Sequence, residues 1–185
     1  MANPTMTLIG SPITVGSGGA SSVTFSSIPA TYTDLVVKMS TRSNYATSAD
    51  TPPIFARFNS DSGANYSSRA LTYQDAAGGR SATNPYFVTS AFYAGMSNAT
   101  GPTANTFNNA EFYVPNYTSS NAKSVSTDAV SENNSSTDYT FCLNLVACLW
   151  TGTAAITSIT LFCGPTSQYN FVQYSTFYLY GISNS

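Results

Sequence analysis

Eight carboxylates hold most of the acid–base chemistry open to this chain: Asp34, Asp50, Asp61, Asp75, Glu111, Asp128, Glu132 and Asp138, with no histidine among 185 residues. The reaction such a set suits best is glycoside hydrolysis, which needs two carboxyls about 5–9.5 Å apart. Asp50, Asp61, Asp75, Glu132 and Asp138 stand in turn-like contexts, where a short carboxylate caps the backbone. Glu111 and Asp128 fall within strand patterns and could face one another, and a cross-strand pairing with Lys123 or an arginine is the simpler expectation. Without histidine, Ser-His-Asp and Cys-His arrangements are impossible. A Ser-Lys dyad would have to draw on Lys38 or Lys123, and no motif surrounds either. Gly16-Ser17-Gly18-Gly19 lacks the lysine of a phosphate-binding loop and precedes a strand rather than a helix. The expectation is a protein with no catalytic residues, not an enzyme.

Metal chemistry is equally thin. Cys142, Cys148 and Cys163 form no CxxC pair and have no histidine beside them, which excludes the usual zinc sets. On one strand Cys142 and Cys148 would point to the same face, about 20 Å apart, too far to bond. All three read as small buried hydrophobes. Asn59-Ser60-Asp61-Ser62-Gly63-Ala64-Asn65 loosely matches a calcium loop, but it offers one carboxylate and no closing glutamate, so a polar turn is expected. No cofactor or metal is expected. The sequons at Asn65, Asn98, Asn116, Asn133 and Asn134 are near compositional expectation, and with no leader they are expected to be unmodified.

The elements that must position these groups alternate with period two, the mark of half-buried strands. Residues 33–41 set Leu35, Val37 and Met39 against Asp34, Val36, Lys38 and Ser40. Residues 54–59 set Phe55, Arg57 and Asn59 against Ile54, Ala56 and Phe58, and 110–114 set Ala110, Phe112 and Val114 against Glu111 and Tyr113. Residues 138–151 set Phe141, Leu143, Leu145, Ala147 and Leu149 against Cys142, Asn144, Val146, Cys148 and Trp150. Residues 155–163 and 169–182 behave similarly, and the two longest segments, 136–151 and 169–182, are expected to be central strands. Clusters of Gly, Pro, Asn, Ser and Asp recur between these segments, with 75–85 and 50–53 expected as exposed loops. No segment has helical periodicity. The pattern predicts one all-β domain over 1–185, an antiparallel β-sandwich, jelly-roll-like, of about 8–10 strands, with 1–20 an extended arm or first strand.

Net charge is −2 and only 8% of residues are charged. Six lysines and arginines, scattered from Lys38 to Lys123, make no basic stripe, which argues against nucleic acid or a membrane surface as partner. No apolar run is long enough to span a bilayer as a helix. Contact surfaces are better provided for. Tyr174, Tyr178 and Tyr180 are expected on one face of the last strand, with Phe177 and Leu179 on the other; such a row is either a second packed layer or a subunit contact, with a carbohydrate-stacking platform as the remaining reading. Arg57 and Arg69 flank the Asn59–Asn65 turn and are expected to emerge together if their strands form a hairpin.

Several segments in order resemble a family of structural proteins from tailed phages of aquatic bacteria, including cyanophages. They are Ser26-Ser-Ile-Pro-Ala-Thr-Tyr-Thr-Asp-Leu-Val-Val-Lys38, Arg57-Phe-Asn-Ser-Asp-Ser-Gly-Ala-Asn-Tyr-Ser-Ser-Arg69, Phe112-Tyr-Val-Pro-Asn-Tyr117, Ala155-Ile-Thr-Ser-Ile-Thr160 and Phe171-Val-Gln-Tyr-Ser-Thr-Phe-Tyr-Leu-Tyr-Gly181. The resemblance implies a virion component, made in the host cytoplasm and carried on the particle, with no catalytic residues to transfer. The function expected is that of a capsid decoration or cement protein. It would bind the major capsid protein on the outer lattice and associate with itself, as a homotrimer at a symmetry axis. The alternative is a tail-fibre or receptor-binding domain that grips host polysaccharide. Trp150 reads as core, which counts against a sugar platform there.

Overall fold

The structure, a computed structural model, describes residues 5–46, 51–74, 80–84, 89–101, 103–133 and 142–183. It contains thirteen strands: β1 (Met6–Leu8), β2 (Ile13–Thr14), β3 (Ser22–Phe25), β4 (Asp34–Ser40), β5 (Pro53–Phe58), β6 (Tyr66–Gln74), β7 (Arg80–Asn84), β8 (Phe92–Met96), β9 (Asn109–Val114), β10 (Lys123–Ser131), β11 (Cys142–Trp150), β12 (Ile159–Cys163) and β13 (Thr176–Ile182). They form two antiparallel sheets packed as a sandwich. The large sheet runs β1-β13-β4-β9-β10-β11-β6-β7, with β2 also on β13, and the small sheet runs β3-β12-β5-β8.

The all-β antiparallel sandwich is as the alternation predicts. The thirteen strands among the described residues exceed the eight to ten expected, because β1 and β2 are pieces of three and two residues and β7 adds an edge strand in a stretch expected as loop. A nine-and-four division also differs from the eight strands of a jelly roll. At the N-terminal end, β1 and β2 both lie along β13. The polar stretch 75–85 is not all loop, since Arg80–Asn84 pairs with β6. Of the second expected loop, Asp50 lies outside the described residues, while Thr51 and Pro52 are buried and Pro53 opens β5. Two of the periodic C-terminal segments are only partly strand. Residues 155–158 are irregular before β12, and 169–175 make isolated bridges before β13.

Alternation decides which side chains enter the core. On β4, Leu35, Val37 and Met39 point inward, and on β9 Ala110, Phe112 and Val114 do. On β10 and β11 every second residue is buried. An aromatic chain joins the layers: Phe58 of the small sheet meets Phe92 at 4.9 Å and Trp150 at 5.5 Å, and Phe92 meets Phe112 edge-on at 5.2 Å. β8 is buried along its whole length and crosses close over the large sheet. Gly95 permits this. Its φ is +116°, and a Cβ there would lie 2.8 Å from the Ala129 methyl.

Cys142, Cys148 and Cys163 are all buried free thiols, as their reading as small hydrophobes predicts. Burial pushes Cys142 and Cys163 up to about 12 and Cys148 to about 11.

Candidate functional site

Among the described acids, most are committed to holding the fold. Asp61 accepts from the Gly63 amide at 2.8 Å, the Asn65 amide group at 2.9 Å and the Trp150 indole N–H at 2.7 Å. These donors, Trp150 first, hold its carboxyl below the usual range. Both oxygens therefore face N–H donors, which is the arrangement of a turn rather than of a cation cage. Asn59 pins the same turn from the other side, accepting from the Thr157 and Ser158 amides and donating to the Ala155 carbonyl. Asp34 accepts from the Tyr113 hydroxyl at 2.6 Å and the Asn116 amide at 2.8 Å, and its carboxylate pushes the Tyr113 phenol up to about 12. Glu132 accepts from the Asn133 amide. Asp50, Asp75 and Asp138 lie outside the described residues.

Glu111 and Asp128 do face one another, in register across β9 and β10. Their cation is Lys38, not Lys123 or an arginine. Lys38 stands opposite Glu111 on β4 and is ion-paired with it. That hydrogen bond, with a smaller contribution from Asp128, raises the lysine's pKa. Like charges directly opposite destabilise a sheet pair, and Lys38 offsets that cost. Lys123 is instead buried and donates to the carbonyls of Ser119, Asn121 and Ala154 beside the Trp150 ring. Burial lowers its pKa.

Sequence reasoning missed a second buried cation. Arg42 follows β4 and donates to the carbonyls of Thr103 at 2.9 Å, Thr106 at 3.0 Å and Thr100 at 3.2 Å. One guanidinium thus closes the 100–106 loop. Asn98 and Asn133, two of the sequon asparagines, are buried, so neither offers its amide to a glycan.

The interface candidates separate. Tyr178 and Tyr180 share the outer face of β13 and stack at 6.4 Å, with Phe177 and Leu179 buried behind them. Tyr174 is not on that strand. It sits in the preceding turn with φ +72° and is exposed. Arg57 and Arg69 do not emerge together either, because β5 and β6 belong to different sheets and make no hairpin. Arg57 donates to the Ser90 carbonyl and lies over the Phe162 ring at 4.6 Å. Arg69 stands exposed on the large sheet.

The outer face of the large sheet arranges its side chains in cross-strand rows. Read across the strands, one row is Leu71, Leu145, Asp128, Glu111, Lys38 and Tyr178. The next is Tyr73, Leu143, Val130 and Asn109. On the other side run Arg69, Ala147, Ser126, Tyr113, Val36, Tyr180 and Leu8. Leu145 is 60% exposed and Leu71 54%. With Tyr73, Val130 and Leu143 they line a shallow depression of about 310 Å³. So β11 is apolar on both faces, and its leucines point out while Cys142, Val146, Cys148 and Trp150 point in. These side chains make a contiguous apolar patch on the three adjacent strands β6, β11 and β10.

No protein-family model and no curated protein matches this chain.

Proposed function

We propose that this protein is a phage virion structural component, a decoration or cement protein that binds the outer capsid lattice and stabilises it, associating with copies of itself. The observation that carries this reading is the outer sheet face. It offers leucine, valine and tyrosine to a partner, while the neighbouring charges Lys38, Glu111 and Asp128 sit in one row on a flat strand surface rather than in a cleft. Such a face suits burial against protein better than chemistry on a small molecule. The mechanism is mass action: a subunit that binds only the assembled shell lowers the free energy of that state. Loops at one end of the sandwich would meet the shell. No catalytic role is proposed for any carboxylate. The test is to add purified protein to shells that lack it. Saturable binding with a raised shell melting temperature is expected, and no binding overturns the reading.

A second reading, a receptor-binding domain for host polysaccharide, has one observation in its favour. Tyr45 and Tyr169 lie 4.5 Å apart, tilted by 59°, in a cleft with Pro52, Pro53, Pro165 and Gln168. Aromatic rings beside an amide suit a sugar ring. Binding of host polysaccharide, abolished by Tyr169→Ala, would favour it over the shell reading.

A further inference from the structure

We propose that the outer face of β6, β10 and β11 is covered by a second copy of this chain, packed face to face about a two-fold axis that brings Arg69 of each copy to Asp128 of the other.

Three observations lead there. The apolar centre, Leu71, Tyr73, Val130, Leu143 and Leu145, lies on adjacent strands in register and is the largest cluster of exposed large hydrophobics among the described residues. Lys38 and Glu111 are paired within the chain, so the opposite charges that flank the patch are Arg69, which also donates to the Ser68 carbonyl, and Asp128. A strongly charged partner would find nothing to answer it, whereas a copy of the same face does. Arg69 and Asp128 also sit on opposite sides of β11, on β6 and β10 respectively. A two-fold axis running along β11 lays β6 of one copy over β10 of the other. It thereby places arginine near aspartate twice, the reciprocal pairing that isologous contacts require. The two residues are offset by two positions along the strands, about 7 Å, a gap an arginine side chain spans.

Two sheets stacked ~10 Å apart would bury the leucines in the way a sandwich core does. The pairing stands independently of the shell reading, since it needs only the free protein.

Sedimentation equilibrium on the purified full chain tests it, with Arg69→Asp, Asp128→Arg, their double variant, and Leu145→Lys. The wild type is expected to be a dimer rather than the homotrimer expected from the resemblance. Each single change should weaken pairing tenfold or more, and the double charge swap should restore it. All three positions are exposed, and unchanged circular dichroism confirms that each variant folds. A wild-type monomer, a trimer, a dimer indifferent to Leu145→Lys, or a double variant no better than the singles overturns the proposal. Shell binding by a protein that stays monomeric would leave the shell-binding part of the proposed function standing and sink this pairing and the self-association with it.

Discussion

The Trp150 indole donates to Asp61 across 2.7 Å, tying the end of β11 in the large sheet to the turn that leaves β5 in the small one. The contact is sterically exact as well. A Cβ at Gly152 would lie 2.2 Å from the indole, so the chain folds back over the ring only with glycine there. One carboxylate thereby fixes both the turn and the aromatic contact between Trp150 and Phe58.

Asp61→Ala is expected to cost about 1–3 kcal/mol, because it strands the buried indole N–H and frees the turn. The pH dependence has a definite sign. A carboxylate with a lowered folded pKa stabilises the fold fully above its unfolded pKa, about 4, and loses that contribution as pH falls through the folded value. Urea titrations followed by the single tryptophan should show this acid loss in the wild type and less of it in Asp61→Asn.

Gly95→Ala should destabilise by at least about 2 kcal/mol, combining a positive φ with overpacking against Ala129. Gly16→Ala, where an added Cβ meets nothing within 4 Å, should stay within about 0.5 kcal/mol. Equilibrium unfolding of the two variants side by side measures the difference.

Arg42→Lys keeps the charge but cannot fork between the Thr100, Thr103 and Thr106 carbonyls. A loss of about 1–3 kcal/mol is expected. Hydrogen exchange should rise first in residues 100–108, ahead of β4 and β9.

The three thiols should not react with an aromatic disulfide reagent in the native protein and should all react in denaturant. Burial both blocks access and keeps them protonated, with values pushed to about 11 or 12. Fast reaction of any one under native conditions would contradict its buried place.

Strands with a strong contrast between faces were readable before any coordinates. In β9, Ala110, Phe112 and Val114 alternate with Asn109, Glu111 and Tyr113, and burial follows that alternation; in β4, Leu35, Val37 and Met39 point inward as read, but Asp34 and Val36 on the other face are buried as well. In β10, Lys-Ser-Val-Ser-Thr-Asp-Ala-Val-Ser alternates just as strictly, but its buried set includes Lys123, Thr127 and Ser131, so hydropathy alone hides it. β11 poses the converse problem. Both its faces are apolar, and only the small sheet's position decides that leucines face out. That outward row, the heart of the candidate surface, was therefore not legible. Nor were Arg42 and Lys123, since a cation is buried only when folding brings carbonyls to it. The tyrosine row was legible in part: Tyr178 and Tyr180 share a face, and the irregular backbone at Tyr174 took the third residue off the strand.

Imaging of the whole particle bears most directly on a role at the shell. Density for this sandwich is expected across the outer capsid surface, on the order of hundreds of copies arranged by the lattice symmetry. Density confined to the tail, or none on the particle at all, would contradict a decoration role.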